Sequence, residues 1–571
     1  MFQTNELIQV ARGNKNGDLL LKNAKMVNVY SGEFIDADVV TWEDRIAGVG
    51  KGFKAEEVID LKGHYLSPGF IDGHVHIESS MVDVSEFARA VVPLGTTSVI
   101  ADPHEIANVL GYDGIRYMLN ASKYNPLNVF FMVPSCVPST ELETSGASLR
   151  ALDIYPLLQE KWVLGLAEVM NFVGVVQADQ EILDKLKIAT EKRIDGHAPG
   201  LTGIDLNAYV AAGIGSDHEC TKVEEAKEKL RLGMYILIRE GTFIKNLRDL
   251  IPLVTPENSR RCCFCTDDRH PHDMLEEGHI NYLIKTAIQM GVDPITAIRM
   301  GSLNTAEYFG LREHGGIKPA NYADLVAFNN FEEFRISHVF KNGQLVAKDQ
   351  EPMYEKLRPQ HVQIRSSMNM KWLEGGEFVI PAEGRKARII GLVEDQALTN
   401  CLIEEAPISN GQVVSDSDRD ILRVFVVERH NATGNIGRGL IKGLGLNRGA
   451  IASSIAHDSH NVIVAGHSDE EIMLAVIHLN KIGGGIVVVD GENVVDVLEL
   501  PIAGLMSRDE LEVVSQKTEK LVHAAHQLGS TVRDPLMALS FMALPVIPSL
   551  KLTDIGLVDV ENYKLVGLFV D

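Results

Sequence analysis

Eight short apolar segments, each closing on polar or charged residues, recur between residues 67 and 313 with helical stretches between them. In order they are PGFIDGHVH, TSVIADPHE, NVFFMVPS, VLGLAEVM, RIDGHAPG, AGIGSDHE, YILIREG and CCFCTDD. Strands that alternate with helices over such a length imply a parallel sheet, and eight units imply that the sheet closes. From His74 to Asp267 the chain takes seven steps of about 28 residues, against about 31 per unit in a typical barrel of this kind. The expected fold class is α/β, with a (β/α)₈ TIM-type barrel over residues 67–313.

A chain of 571 residues is too long for one hydrophobic core. Residues 18–66 read as short alternating strands broken by Gly and Asp, and the pattern returns in ADLVAFNN and HVFKNGQLVA. These flanks, 1–66 and 314–360, are expected to assemble into one composite β-sandwich domain, which brings the ends of the central block together. Residues 361–571 mix strand-like runs (ILRVFVVE, NVIVAG, GGIVVV) with helical ones (SDEEIMLAVIHLNKI) and are expected to form a C-terminal α/β domain.

The net charge of −24 argues against a nucleic-acid binder, which needs a basic footprint. No apolar stretch is long enough to span a bilayer, and the polar opening MFQTNELIQVARGNKNGD lacks a secretory apolar run. Three of the six cysteines fall in the run Arg-Cys-Cys-Phe-Cys, where a buried apolar strand is expected rather than a disulfide framework or a thiolate site. Reduced thiols without a targeting signal place the chain in the cytoplasm by expectation.

In barrels of this kind the active site lies at the carboxyl ends of the strands. His74 and His76 end the first strand as His-Val-His, two apart and therefore on one face. Glu168, His197, His218 and Asp267 end the fourth, fifth, sixth and eighth strands. Four imidazoles and two carboxylates meeting at one mouth suit a pair of first-row divalent metals. HDSHN (457–461) also has a spacing that suits a metal, but no third ligand stands nearby in sequence, so a loop over the mouth or a structural turn is expected. His270 and His272 follow the last strand and are expected in a loop, with a place in the pocket lining as the alternative.

The segment PGFIDGHVH, and the order HxH, strand-4 residue, two single His, then Asp, resemble the amidohydrolase superfamily over about residues 1–350. Many members bridge their metals with a carboxylated Lys on strand 4, where this sequence has Glu168. Longer motifs, HVHIESSM, ADPHEIANVLG, LGLAEVMN, DGHAPGL, SDHE, REGT and CTDDRHP, with HDSHN and LPIAGLMS further on, resemble the bacterial adenine deaminase family. The resemblance implies hydrolysis of adenine to hypoxanthine and ammonia by a metal-bound hydroxide, in purine salvage. It also implies a binuclear manganese or iron centre; zinc is compatible with the same donors. The expected partners are adenine and water, with self-association into a homo-oligomer and neither nucleic acid nor membrane.

On this resemblance Asp267 takes the proton of the attacking hydroxide and passes it to the leaving amine, and Asp268 accepts a hydrogen bond near N7. Ring N1 must also be protonated as C6 becomes tetrahedral. Adenosine and cytosine deaminases carry a Glu shortly after the strand-5 His, whereas here the run is His197-Ala198-Pro199-Gly200. Candidates for that proton are Glu78, Asp102, His104, Glu105, Glu219 and Glu240. Glu219 and Glu240 are counted with Asp267 as catalytic candidates, and Asp268, Asp102, His104, Glu105, Glu78 and Arg239 as substrate-binding ones. Two plainer expectations stand beside these: Glu219 orienting His218, and Arg239 pairing with Glu240 as structure. The rival functions are another amidohydrolase, such as an N-acetyl sugar phosphate deacetylase with a phosphate-binding cation at the mouth, and a non-enzymatic barrel used for binding.

Overall fold

In the computed structural model, which describes residues 4–354, 364–393 and 396–570, all eight apolar segments are strands. They are β1 (Phe70–Val75), β2 (Thr96–Ala101), β3 (Asn128–Val133), β4 (Val163–Val169), β5 (Arg193–Gly196), β6 (Ser216–Asp217), β7 (Tyr235–Arg239) and β8 (Cys262–Cys265). Strands β5-β4-β3-β2-β1 form one parallel sheet and β6-β7-β8 another. β1, β2 and β8 are buried at every position, as strands covered on both faces must be.

Backbone links join the two sheets at both flanks. Gly215, just before β6, donates to Ile194 of β5 at 3.0 Å. Beyond β8, Asp267 donates to the His74 carbonyl at 2.9 Å and forms a parallel bridge with Val75. Helices fill the connections, among them Val84–Val91, His104–Leu110, Ala151–Leu158, Gln180–Ile188, Gly203–Ala211 and Val223–Arg231. Their starts carry local signals: the Asp179 carboxylate accepts from the amides of Glu181 and Ile182.

A nine-stranded sheet combines Gly17–Asn28, Glu33–Trp42, Arg45–Gly50, Ala55–Asp60 and Tyr65–Pro68 with Leu325–Phe328, Ile336–Lys341, Gln344–Lys348 and Glu351–Pro352. The seam is the antiparallel pair of Tyr65–Pro68 with Leu325–Phe328. The expected boundary between residues 360 and 361 lies outside the described residues.

The C-terminal region carries an eight-stranded sheet and the helices Asp469–Ile482 and Leu511–Gln527. Its ladder is antiparallel except where Lys386–Leu392 runs parallel to Ile436–Lys442, so simple strand–helix alternation does not govern it. Several bonds tie this region to the strand-end loops. Ser507 donates to Met81 O at 2.8 Å, Asn461 Nδ2 to Thr144 O at 2.7 Å, and the Thr144 amide to Asp554 Oδ1 at 2.8 Å.

No helix is long and apolar enough to cross a membrane among the described residues. All six cysteines are free, and Cys262, Cys263 and Cys265 are buried in β8.

Candidate metal centre and active site

The ends of β1 and β8 are fixed by a buried carboxylate. Asp72 accepts from the amides of His74 (3.2 Å) and Thr266 (3.1 Å). Beyond it, His74 and His76 bring their Nε2 atoms within 3.1 Å of each other. His76 Nδ1 lies 3.0 Å from the Asp102 carbonyl. A carbonyl only accepts, so the ring proton sits on Nδ1 and Nε2 presents a lone pair.

Glu168 spans the cluster. Its Oε1 lies 3.6 Å from His74 Nε2 and 3.3 Å from His76 Nε2, and its Oε2 lies 2.6 Å from His197 Nδ1 and 3.1 Å from His218 Nε2. Asp267 Oδ1 is 3.1 Å from His76 Nε2. The ligand-type atoms of His74, His76 and Asp267 all lie within 4.8 Å of one another, as do those of His74, Glu168 and His218. Imidazole lone pairs and carboxylate oxygens crowded together in a buried site fit divalent cations, which supply the missing positive charge. All six expected ligands are therefore brought together. Burial pushes the Glu168 carboxyl up, but His197 and His218 outweigh it and hold it well below the usual carboxylate range. Burial acts likewise on Asp267, which Arg239 and His76 hold well below that range.

A second layer holds the strand ends in place. Lys229, fully buried, donates to Ala198 O (2.7 Å), Asp217 Oδ2 (3.0 Å) and Glu225 Oε1 (2.7 Å), while Asp217 Oδ1 accepts from the Ala198 amide (2.8 Å). The residues next to His197 and His218 are thereby locked together. Arg239 donates to Asp267 Oδ2 at 2.6 Å and forks onto both oxygens of Glu219. Its carboxylate partners are thus Glu219 and Asp267, with Asn246 Oδ1 at 3.3 Å beside them, and not the adjacent Glu240. Glu219 Oε1 also stands 3.6 Å from His218 Nε2 and 3.7 Å from His197 Nδ1.

Of the six expected ligands, His76, Glu168, His197, His218 and Asp267 open on a narrow cavity. His104, Glu105, Asp268 and Arg239 line it, with Met170 and Ile244 beside them. The far wall comes from the C-terminal region: His457, Asp458, Phe541, Leu544, Val546 and Ile547. Ser79 Oγ donates to Asp268, whose carboxyl is pushed up by burial and by the neighbouring Asp267.

Three candidates do not line this cavity, each for a local reason. Glu78 accepts from the Ile106 amide (3.2 Å). Glu240 accepts from the Leu247 amide (3.1 Å). Asp102 turns back on the start of helix His104–Leu110, with Oδ1 3.1 Å from His104 N and Oδ2 3.1 Å from His104 Nδ1. Asp102 and His104 therefore do not share the mouth as their alternating spacing suggests; His104 alone lines it, 3.4 Å from Glu168 Oε1. His270 faces Asp534 (3.8 Å) and His272 is exposed beside Glu519 (3.0 Å), both away from the cavity.

The HDSHN loop does reach the mouth, and its missing third partner is Glu105. His457 Nδ1 lies 2.9 Å from Glu105 Oε1, and His460 Nε2 contacts Oε2. More than 300 residues separate the two segments, so no local spacing could have paired them.

Residues 65–346 match the amidohydrolase family, and residues 396–564 match the adenine deaminase C-terminal domain. A protein of Desulfatibacillum aliphaticivorans named adenine deaminase is 51% identical over 99% of both chains. One of Carboxydothermus hydrogenoformans named adenine deaminase 2 is 49% identical over 98% of both, and one of Methanothrix thermoacetophila named adenine deaminase is 47% identical over 99% of both. Similarity at this level covers both the barrel and the C-terminal region, and the chain belongs to the adenine deaminase family.

Proposed function

We propose that this protein hydrolyses adenine to hypoxanthine and ammonia, with two divalent ions, manganese or iron first and zinc also compatible, held by His74, His76, Glu168, His197, His218 and Asp267. The observation that carries the reading is Glu168, whose two oxygens face two separate imidazole pairs. Bound divalent cations would acidify a coordinated water from a pKa of about 15.7 to about 7, so that it attacks C6 at neutral pH.

The chain's own groups then divide the proton traffic. Of the acids offered by the sequence for N1, Glu78, Asp102 and Glu240 are committed to backbone amides or to a helix start, and Glu219 to Arg239. That leaves His104 and Glu105 at the cavity wall; His104 Nδ1 is engaged by Asp102, and the transfer to N1 is assigned to Glu105. Glu105 receives the first proton of the attacking water and delivers it to N1 as C6 becomes tetrahedral. Asp267 takes the remaining hydroxyl proton and passes it to the leaving amine. The two transfers together convert adenine and water to hypoxanthine and ammonia with no proton left over. Arg239 keeps Asp267 and Glu219 in place, and Asp268 accepts a hydrogen bond on the N7 side. Phe541, Leu544, Val546 and Ile547 exclude water from the ring.

The eight parallel strands, with the links at Gly215 and Asp267, support a closed (β/α)₈ barrel over 67–313. The seam at Tyr65–Pro68 supports 1–66 and 314–360 as one β-sandwich domain, with 361–571 as the C-terminal domain. The free thiols support a cytoplasmic setting, where purine salvage would use the reaction. A sugar-phosphate deacetylase finds less support: among the described residues, Arg239 is the one Arg or Lys lining the cavity, and it is paired twice.

The test is ammonia release from adenine by protein loaded with Mn²⁺ or Fe²⁺, against acetate release from an N-acetyl sugar phosphate. Ammonia from adenine is expected; its absence from metal-loaded protein refutes the proposal.

A further inference from the structure

The C-terminal loop that reaches the cavity contributes more than a wall. Glu105, near the start of helix His104–Leu110, is almost fully buried, and both of its oxygens face imidazoles of that loop. His460 Nδ1 accepts from the Ala456 amide at 3.2 Å, which leaves the His460 ring proton on Nε2, facing Glu105. The His457 ring stacks on Phe541, with centroids 4.8 Å apart and planes 13° apart, so its rotation is restrained.

The loop is itself pinned from behind. Arg429 is fully buried and directs its donors to backbone carbonyls: Ser367 (2.9 Å), Ala503 (3.0 Å), Ser454 (3.4 Å) and His460. A desolvated guanidinium is expensive unless its donors are met, so its collection of carbonyls fixes the geometry of the strand-end turn that carries His460. His430 Nε2 stands 2.7 Å from Ser459 O, which holds the same turn from another side.

We propose that His457 and His460 are positioning residues for Glu105: they fix its carboxylate at the cavity wall, so proton transfer to the purine depends on a loop of the C-terminal region. The inference rests on the reading of Glu105 as the carrier of the N1 proton. It gives the C-terminal region a part in the chemistry, since the acid and the groups that orient it come from opposite ends of the chain.

The surroundings of Glu105 set the expected pH response. His104 Nε2 lies 3.6 Å from its Oε1 on the same helix. Asp458 lies beside His457, with Oδ1 3.8 Å from its Nδ1, and Glu78 and Asp268 add like charge. Burial pushes the Glu105 carboxyl up, and His457 and His460 outweigh it and hold it low. Without them, burial and the like charges dominate and the carboxyl takes up a proton at higher pH.

The variants are His457→Ala, His460→Ala, His457→Asn, His460→Gln and Glu105→Gln, each loaded with Mn²⁺. An Asn amide can donate from near the place of Nδ1, and a Gln amide from near that of Nε2. The two Ala variants should lower kcat for adenine about 10- to 100-fold, with KM and bound metal as in the wild type. His460→Gln should recover most of that loss. His457→Asn keeps a donor but loses the imidazole's charge, so the acid limb of its kcat–pH profile should move to higher pH. That limb is readable even if the Ala variants do not fold. Wild-type kcat in the Ala variants, an unmoved acid limb in His457→Asn, or a rate loss that merely follows metal loss would overturn the proposal. Glu105→Gln separates the two levels: if it retains wild-type kcat, the assignment of Glu105 itself falls, whatever the histidine variants do.

Discussion

Replacing Glu168 by Gln tests the metal centre at its most exposed assumption. The substitution keeps the shape of the side chain, removes one negative charge and turns one carboxylate oxygen into an amide nitrogen that carries only protons. Each oxygen of Glu168 faces a different imidazole pair, at 3.3 and 3.6 Å on one side and 2.6 and 3.1 Å on the other. Either orientation of the amide therefore points hydrogens at one pair and leaves the other with a neutral oxygen. Removing one partner from a buried charged set costs about 3–5 kcal/mol. At about 1.4 kcal/mol per tenfold, metal affinity should fall by roughly two to four orders of magnitude. Glu168→Asp keeps the charge but is one methylene shorter, so it should retain one ion better than the other. The assay is equilibrium dialysis of metal-free protein against buffered Mn²⁺, with bound metal measured by elemental analysis and ammonia release followed in parallel. Glu168→Gln binding Mn²⁺ as tightly as the wild type, at the same kcat, would show that Glu168 is not a shared donor.

Three further outcomes probe the surroundings of the site. Lys229→Met leaves the buried Asp217 carboxylate and the Ala198 carbonyl without their ammonium; the urea midpoint should fall by the equivalent of about 3–5 kcal/mol, and an unchanged midpoint contradicts the bracing role. Lys551 Nζ donates to Ala397 O (2.6 Å) and Phe541 O (2.9 Å), and burial drags its pKa down to about 7 from the ordinary 10.5. Between those pH values the unfolded chain holds a proton that the folded chain has released, so stability rises with pH across the window. The thermal midpoint of the wild type minus that of Lys551→Met should therefore grow from pH 7 to pH 10, and a flat difference refutes the buried-amine account. His272→Gln removes an exposed pair with Glu519; stability should change by less than about 0.5 kcal/mol and kcat not at all, whereas a clear drop in kcat would bring His272 into the active site.

What was legible in the sequence follows from how local each signal is. β1 to β8 could be read because an apolar run that closes on polar or charged residues is visible within a few residues. Glu168 could be placed because GLAEVM puts it at a strand end. The order of strands in the C-terminal sheet has no such local trace: Ile421–Val427 lies between Ile436–Lys442 and Val462–Gly466 through contacts that no periodicity records. The acids at the mouth show a subtler limit. Glu78, Glu240 and Glu105 are the same residue type near strand ends, and each is buried. The loops that follow the strands contain amides outside any ladder, and a buried amide needs an acceptor as much as a substrate proton needs a carrier. Glu78 and Glu240 accept from such amides, at Ile106 and Leu247. Glu105 meets imidazoles from a loop more than 300 residues away instead. The identity of an acid's partner, and not the acid or its spacing, therefore separates Glu78 and Glu240 from Glu105, and that partner is what a distant segment supplies.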